Sequence, residues 1–435
     1  LSLPGHHCQR PSGTAAGVHP RCARGDKICM IEAREMPVSK REPYVPPAID
    51  FDDYAEPLRH RTTAELRSAR FVLRTIQSPR LMSAGTWMAR AGLALHLPGT
   101  EMAIKRTVFR QFCGGINLAE AIATATRLHE RGIGSILDYA VEGEERESNF
   151  EAVAGRLEEA VEAASRHQGI GFNAIKLTGL ARFALLEKVS ANRELNSDQN
   201  SELQRTKARI ERIAAVAHAS NVAIFIDAEH SWVQGAIDGI AEGLMRAHNR
   251  ERPAVHTTVQ LYLRDRLDYL RRAIEEARSG GYYLGVKLVR GAYMDQERER
   301  ATARGYASPV QPSKQATDAA FDQAITLCLE NIDHVAVCVA THNAESSRHL
   351  VHEMARLGIE RNDPRVTASQ LLGMFDRITY PLAKNGYNIL KYVPYGGIRE
   401  AFPYLLRRAD ENKSVAVQLA SELDAVREEL RRRRS

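Results

Sequence analysis

The stretch LGVKLVRGAY, residues 284–293, starts as an apolar run and ends in two cations, a glycine and a tyrosine. Its apolar residues follow one another without the polar alternation of a half-exposed strand. Such a strand is typical of a parallel sheet that helices cover on both faces. In α/β folds the functional groups gather where these strands end, which matches the abrupt change at Lys287 and Arg290. This stretch therefore predicts one unit of a parallel α/β fold with a polar site at its carboxyl end.

Seven further short apolar runs alternate with helix-like segments between residues 134 and 397. They are GSILDY (134–139), FNAIKLTGL (172–180), NVAIFIDAE (221–229), VHTTVQLYL (255–263), VAVCVATHN (335–343), RVTASQLLGM (365–374) and NILKYVPYGG (388–397). Eight strands that alternate with helices predict a closed, TIM-like (β/α)8 barrel of the α/β class. A doubly wound open sheet is the alternative, but no G-x-G-x-x-G follows the first strand, which argues against a dinucleotide-binding start.

The chain divides into four predicted segments. Prolines at 43, 46 and 47 close an irregular start, and the next residues have helical spacing up to Gly132. The start carries arginines and no acid over its first 25 residues, so a tail, a presequence and a misplaced start all stay open. The segments are 1–59 (irregular N-terminal tail or presequence), 60–130 (N-terminal helical region), 131–414 (barrel) and 415–435 (C-terminal basic helix).

Composition excludes several classes of protein. The net charge of +6 is spread along the chain among acids, so nucleic acid is not an expected partner. No run of 18 apolar residues predicts a transmembrane helix. The six cysteines form no C-x-x-C pair, and no H-E-x-x-H occurs, so no metal site is expected; Cys113, Cys328 and Cys338 are predicted to be buried thiols. The absence of G-x-S-x-G argues against a serine hydrolase.

Each apolar run ends in polar residues, which predicts a functional site at one mouth of the barrel. Near the end of the chain, REAFPYLLRRADEN adds Arg407 and Arg408 on a helix. Adjacent helical residues point about 100° apart, so both arginines reach one small anion only if the helix crosses the mouth. A Schiff-base lyase that uses Lys176 or Lys287, a flavin or nicotinamide oxidoreductase, and a non-catalytic anion-binding barrel all fit this pattern.

Five motifs resemble those of the proline dehydrogenase family, in order and spacing, from about Phe109 to Ser414. They are KLVRGAYMDQER, IDAEHSW, ATHNAES, QLLGM and KYVPYGGIREAFPYLLRRADEN. The resemblance implies a distorted (β/α)8 barrel whose final helix lies over the active-site mouth and over non-covalent FAD. It also implies oxidation of L-proline to Δ1-pyrroline-5-carboxylate by hydride transfer, with electrons passed to a membrane quinone.

The resemblance also assigns roles to residues. The implied catalytic residues are Lys176, Asp227, Tyr392, Arg407 and Arg408. The implied substrate contacts are Lys176, Arg407 and Arg408 on the carboxylate, Tyr392 and Tyr404 on the ring, and Leu288 as an apolar wall. The implied cofactor contacts are Asp227, Gln260, Lys287, Val289, Arg290, Gly291, Ala292, Tyr293, Thr341, His342, Asn343 and Glu411. Asp138 and Glu142 match acids that pair with the arginines when the site is closed.

Partners and compartment follow from the same resemblance. The chain is expected to catalyse one reaction only and to work with a separate pyrroline-5-carboxylate dehydrogenase, because it stops soon after the arginine helix. Because quinones are lipid-soluble, we expect peripheral, transient contact with a membrane surface, helped by the C-terminal basic helix. A bacterial cytoplasm beside the inner membrane is the expected location, and the mitochondrial inner membrane or matrix is the alternative. Because Tyr392 would crowd a ring hydroxyl, L-proline is preferred over hydroxyproline, whose dehydrogenases form the alternative within the family.

Overall fold

Eight parallel strands close into a barrel in sequence order, which confirms the predicted (β/α)8 fold. A computed structural model describes residues 41–141, 144–414 and 416–434, with the side chains of 76, 79 and 409–419 excepted. The strands are β1 (Gly134–Tyr139), β2 (Ile170–Ile175), β3 (Ala223–Ile226), β4 (Val255–Gln260), β5 (Leu284–Val289), β6 (Val335–Ala340), β7 (Val366–Leu371) and β8 (Ile389–Tyr395). Seven of the eight quoted apolar runs contain a whole strand, and the run 172–180 overlaps β2, which begins two residues earlier.

Helices surround the barrel and extend it at both chain ends. They are α1 (Ala55–Arg59), α2 (Thr63–Ile76), α3 (Pro79–Ala94), α4 (Thr100–Ile104), α5 (Arg110–Phe112), α6 (Leu118–His129), α7 (Glu147–Ser165), α8 (Phe183–Ser190), α9 (Ser197–Ala219), α10 (Ser231–His248), α11 (Arg266–Gly280), α12 (Met294–Arg304), α13 (Lys314–Glu330), α14 (Ala344–Arg356), α15 (Asp376–Lys384), α16 (Ile398–Ser414) and α17 (Ala416–Arg432). A π-helical turn, Lys105–Phe109, links α4 to α5, and a 3-10 turn, Leu177–Gly179, follows β2.

Strand pleating separates an inner from an outer apolar core. Alternate side chains point into the barrel, where the rings of Phe172 and Phe225 stack with centroids 4.5 Å apart. The intervening side chains join the larger cluster between strands and helices. The buried thiols Cys113 and Cys328 lie in that outer cluster and Cys338 lies in the inner one, as predicted for small buried hydrophobes.

The N-terminal helical region begins at a side-chain cap. The hydroxyl of Thr62 accepts from the backbone N–H of Glu65, whose carboxylate in turn accepts from the N–H of Thr62. The described part of the predicted tail packs on the rest of the protein, since Phe51 is fully buried and α1 contacts α15 and α17. Residues 1–40 lie outside the described residues, among them Cys8, Cys22 and Cys29.

The C-terminal helix α17 packs against the N-terminal helices. Leu423, Val426 and Leu430 are buried, and α17 contacts α1 and α2. The guanidinium of Arg433 donates to the carbonyl oxygens of Leu58, at 3.0 Å, and Arg61, at 2.7 Å. The basic helix is thus part of the fold rather than a free extension. Among the described helices, none is both long and apolar enough to cross a membrane.

We expect one buried histidine to make the protein less stable in acid. His256 lies against Phe172 and Phe225 inside the barrel, and burial, aided by the positive charge of Lys287, lowers the pKa of His256 to about 3. In the unfolded chain a histidine titrates near pH 6.5. The stability that comes from keeping His256 neutral in the folded protein is therefore fully present above that pH and is lost as pH falls toward 3. In His256→Phe, the unfolding free energy measured by urea titration should fall less steeply as the pH is lowered across this window. The slope should differ from that of wild type by about 1 kcal/mol per pH unit. An unchanged slope would contradict this assignment.

Candidate active site

Four side chains from four strand ends meet at the carboxyl mouth of the barrel. The carboxylate of Asp227, directly after β3, accepts from the ammonium of Lys287 on β5 and, at 2.7 Å, from the hydroxyl of Tyr392 on β8. The ammonium of Lys176, directly after β2, lies 3.3 Å from the same carboxylate and donates to Tyr392 at 3.2 Å. A fifth group from β1, Asp138, accepts from Lys176 at 2.8 Å. We call these five residues the mouth cluster.

The strand register explains why the mouth cluster forms. Asp227 and Lys176 each lie two residues beyond Phe225 and Ala174, which face the barrel interior, so they point the same way. Lys287 pairs in register with Cys338, another interior residue. The interior positions at the ends of these parallel strands are therefore polar, whereas the positions deeper in the barrel are apolar.

Electrostatics fixes the protonation of the cluster. Burial alone would raise the pKa of Asp227, but the charges of Lys287 and Lys176 and the hydrogen bonds from Lys287 and Tyr392 lower it to about 2. Burial, with the negative charges of Asp138 and Asp227, raises the pKa of Tyr392 well above its usual value. At neutral pH, Asp227 is thus a carboxylate and Tyr392 a neutral phenol.

The turn after β5 is held in a fixed shape. The guanidinium of Arg290 donates to Asp318 at 2.7 Å, Thr341 at 2.8 Å and Ser346 at 2.9 Å, and it stacks over the ring of Phe321. The cation is therefore tied to α13, α14 and the end of β6. Of the other predicted contacts in this turn, Val289 is half-buried, Ala292 is exposed, and Tyr293 packs on the ring of His230 with centroids 4.2 Å apart.

Gly291 is the one residue of this turn that cannot carry a side chain. Its φ is +124°, and a Cβ there would lie 1.9 Å from the ring of Tyr262. We expect Gly291→Ala to displace the turn and to lower both thermal stability and activity, the latter by more than about tenfold. Gly305→Ala is the matched control, because its φ is +71° but no atom lies within 4 Å of the added Cβ. Equal activities for the two variants would contradict the tight packing inferred at Gly291.

The end of β6 supplies polar groups beside Arg290. The hydroxyl of Thr341 accepts from the N–H of Asn343 at 3.1 Å, and the Asn343 side chain caps α14. His342 accepts from the N–H of Leu371 at 3.1 Å, and its ring stacks on Phe375. Burial first, then the positive charges of Lys391, Arg408 and Arg290, lower the pKa of His342 to about 3. His342 is therefore neutral and accepts from the backbone.

The arginine helix α16 begins at Ile398, shortly after the carboxyl end of β8. Arg408 is buried, with its guanidinium 4.8 Å from the ring centroid of Tyr404, which is also buried. The positive charge of Arg408 helps to lower the pKa of His342, and it opposes the effect of burial, which raises the pKa of the Cys113 thiol. Arg407 is half-buried one residue earlier.

Of the remaining predicted site residues, Leu288 lies apart from the mouth cluster, and two glutamates cannot be placed. Leu288 is fully buried in the outer cluster, because it alternates with the inward-facing Lys287, so the structure does not bring it to the mouth cluster. Glu142 lies outside the described residues, and Glu411 lies on α16 but its side chain is among those not described. Lys391, within β8, faces the helix layer and forms an ion pair with Asp376 at 2.8 Å.

Two buried glutamates support the site. Glu229 was expected only as one of the polar residues at the strand ends, and Glu297 was not predicted. Glu229 accepts from the backbone and hydroxyl of Thr178, at 3.1 and 2.7 Å, and its carbonyl accepts from Gln260 at 2.6 Å. Glu297 is fully buried and accepts from the backbone N–H of Ser231 at 2.7 Å. Glu229 has a sequence signal, since it closes the run NVAIFIDAE. Glu297 has none, because it sits in the charged segment MDQERER, which is typical of an exposed helix.

Known proteins resemble this chain over most of its length. The family model for proline dehydrogenase matches residues 121–421. The chain belongs to the proline dehydrogenase family. It is 33% identical over 368 residues to hydroxyproline dehydrogenase of Xenopus laevis, a match covering 77% of this chain and 79% of that protein. It is 29% identical over 431 residues to proline dehydrogenase 1, mitochondrial, of Arabidopsis thaliana, covering 88% and 86%.

A solved structure supports the fold. The crystal structure of proline utilization A from Bdellovibrio bacteriovorus, inactivated by N-propargylglycine, matches with a TM-score of 0.66 at 20% identity. The match covers 83% of this chain and 38% of that one, so this chain spans well under half of the larger protein. Family membership and the barrel are consistent with each other.

Among the described residues, no group of three or more His, Cys, Asp or Glu side chains is arranged to hold a metal ion.

Proposed function

We propose that this chain is an FAD-dependent proline dehydrogenase that oxidises L-proline to Δ1-pyrroline-5-carboxylate. The observation that carries the proposal is the mouth cluster at the carboxyl ends of the strands of a proline dehydrogenase family barrel. Two cations, an ionised Asp227 and a neutral Tyr392 form a preorganised polar floor, and Arg408 adds positive charge at the same mouth. Preorganised charge of this kind is what a small zwitterionic substrate requires for binding and orientation.

The substrate carboxylate is proposed to bind Lys176, Arg407 and Arg408. Guanidinium forks hold carboxylates with two parallel hydrogen bonds, so they fix the orientation of the ring as well as its position. Tyr404 lies against Arg408 and limits the directions in which that guanidinium points. Tyr392 and Tyr404 are proposed to supply the walls for the pyrrolidine ring.

The residues around the mouth fit a flavin. Gln260, Lys287 and Arg290 end β4 and β5, and Thr341, His342 and Asn343 follow β6, so hydrogen-bond donors, acceptors and cations lie side by side along one arc of the mouth. This donor set suits the polar edge of an isoalloxazine ring and an anionic diphosphate. A flavin held there would supply the hydride acceptor for oxidation of the substrate carbon next to nitrogen.

The protein's own residues prepare that transfer. Asp227 holds Lys287 and Tyr392 in fixed positions. Beside a bound flavin, the ammonium of Lys287 would stabilise negative charge on the reduced acceptor. The substrate amine must be neutral, because a protonated nitrogen cannot donate electrons toward the departing hydride. A Schiff base on Lys176 is disfavoured, because both Asp138 and Asp227 stabilise its ammonium form.

Purified protein tests the proposal directly. The protein is expected to be yellow, to release FAD on acid denaturation, and to convert L-proline into a product that o-aminobenzaldehyde traps as a coloured adduct. A water-soluble dye serves as electron acceptor, so this assay needs no membrane. Colourless protein that binds no added FAD would overturn the proposal and would favour the non-catalytic anion-binding barrel.

Substrate choice is a separate prediction. The hydroxyl of Tyr392 is fixed between Asp227 and Lys176, so the ring cannot turn aside for a larger substrate. We expect kcat/KM for L-proline to exceed that for trans-4-hydroxy-L-proline by more than about tenfold, measured in the same dye assay. The relative from Xenopus laevis makes hydroxyproline the specific alternative, and faster turnover of hydroxyproline would establish it.

A membrane quinone is the proposed final electron acceptor, with a separate pyrroline-5-carboxylate dehydrogenase consuming the product. The Arabidopsis relative is named as mitochondrial, so the mitochondrial inner membrane is proposed beside the bacterial inner membrane as the location. Membrane docking by the C-terminal helix could be tested by truncating the chain at Asn412. That truncation would also disturb the fold, because α17 packs on α1 and α2. Substitution of the exposed Arg431 and Arg434 tests it without removing the helix.

A further inference from the structure

Exposed large hydrophobic side chains are concentrated on one part of the surface. Of nine such residues in the described structure, seven lie between residues 71 and 102, on α2, α3, the loop after α3, and α4. Trp87 and Leu95 are each 70% exposed. Single exposed hydrophobic residues are ordinary, but a contiguous group marks an interaction surface. Phe71 lies on α2, and we call the other six, Leu81, Trp87, Met88, Leu95, Leu97 and Met102, the α3 surface.

Helix α3 carries apolar side chains both on the face toward the protein and on the outward face. Met82 and Leu93 are buried toward the protein, whereas Leu81, Trp87 and Met88 share the outward face at helical spacing. Its sequence, PRLMSAGTWMARAGLA, contains two arginines and no acidic residue. A helix that lies against water normally carries charges of both signs on its outer face, so the outer face of α3 is built for a different environment.

Positive charge surrounds the α3 surface. Residues 62–110 contain eight arginine or lysine residues and two glutamates. Arg67, Arg70 and Arg74 line the exposed face of α2 together with Phe71, and α2 packs against α3. Among the described residues, these three arginines have no ion-pair partner. Unpaired arginines beside exposed apolar side chains are complementary to an anionic lipid surface, where apolar groups enter the interface and cations meet headgroups.

The α3 surface adjoins the helix that covers the active site. Helix α16 contacts α2 and α3, and the guanidinium of Arg399 on α16 donates to the carbonyl of Leu93 at 2.9 Å. A membrane bound at the α3 surface would thus lie beside the arginine helix. We propose that the α3 surface and the α2 arginines bind an anionic lipid bilayer. This inference deepens the proposed function by locating the face that meets the lipid-soluble acceptor.

Vesicle binding by the full chain tests the inference. Flavin-loaded protein is mixed with phosphatidylcholine vesicles with and without phosphatidylglycerol, and bound protein is measured by co-sedimentation. Wild type should bind the anionic vesicles, and Trp87→Gln/Met88→Gln should weaken binding by about tenfold or more. Arg70→Gln/Arg74→Gln should weaken it mainly at low salt. Brominated lipid should quench Trp87 fluorescence.

Matched controls separate this surface from others. Val45→Gln/Tyr306→Gln removes exposed hydrophobic side chains elsewhere, and Arg431→Gln/Arg434→Gln removes two charges from the C-terminal tip. Both controls should bind like wild type. The inference is overturned if the α3 variant binds vesicles as wild type does, if the C-terminal variant alone loses binding, or if the α3 variant changes only self-association. Turnover of L-proline with the soluble dye is measured in parallel and should be equal in all variants, so failure of the enzymatic proposal is seen separately.

Discussion

Replacing Asp227 by alanine is expected to lower kcat/KM for L-proline by about a hundredfold to ten-thousandfold. The carboxylate accepts from Lys287 and Tyr392 and faces Lys176, so its loss leaves two cations close together without their shared counter-charge. Both the position of Lys287 and that of Tyr392 depend on it. The loss should appear mainly in kcat, because the substrate carboxylate is held by other groups.

Two comparisons separate a catalytic effect from unfolding. Asp227→Asn keeps an acceptor oxygen and removes the charge, so it should retain more activity than alanine. Asp238→Ala removes another buried carboxylate, which pairs with Arg266 at 2.7 Å on the outer helices. That variant should lose stability with little change in kcat/KM of the folded protein. If Asp227→Ala reduces melting temperature but leaves kcat/KM within about twofold of wild type, the assigned role of Asp227 is wrong.

Replacing Arg408 by methionine is expected to raise KM for L-proline by about a hundredfold or more. The proposed charge-assisted, two-pronged contact to the substrate carboxylate is lost, and methionine offers no donor to replace it. Methionine fills similar space beside Tyr404, so packing changes little. Initial rates over a wide range of L-proline concentration give KM and kcat separately.

Arg399 offers a control on the same helix. Its guanidinium is bound to Glu101 at 2.8 Å and to the carbonyl of Leu93, away from the mouth. Arg399→Met should leave KM nearly unchanged, although it loses an ion pair. Should Arg408→Met retain the wild-type KM while Arg399→Met does not, the proposed carboxylate clamp is in the wrong place.

Most of the barrel was predictable from sequence because parallel strands are apolar on both faces. The run VAVCVATHN, for example, contains both β6 and its polar end, and these features depend only on local pattern. The N-terminal start was less predictable. Phe51 is fully buried, yet its contacts come from distant parts of the chain that no local pattern reveals.

The site was predictable where a polar residue occupies the inward-facing position at the carboxyl end of a strand. Asp227, Lys176 and Lys287 follow that rule. Sequence alone does not say which face of a strand points inward. Leu288, which the family resemblance assigned to the pocket wall, lies instead in the outer cluster. The partners of Arg290 and the burial of Glu297 depend on tertiary packing between helices, which spacing along the chain does not encode.

Anaerobic titration of the purified, flavin-loaded protein with L-proline tests the central claim most directly. In wild type, the visible absorption band of the oxidised flavin should disappear as L-proline reduces the bound flavin. In Asp227→Ala the band should fade far more slowly. Arg408→Met should require much higher L-proline concentrations for the same bleaching. A flavin band that stays unchanged in wild type at saturating L-proline would contradict the assignment of this barrel mouth as a site of proline oxidation.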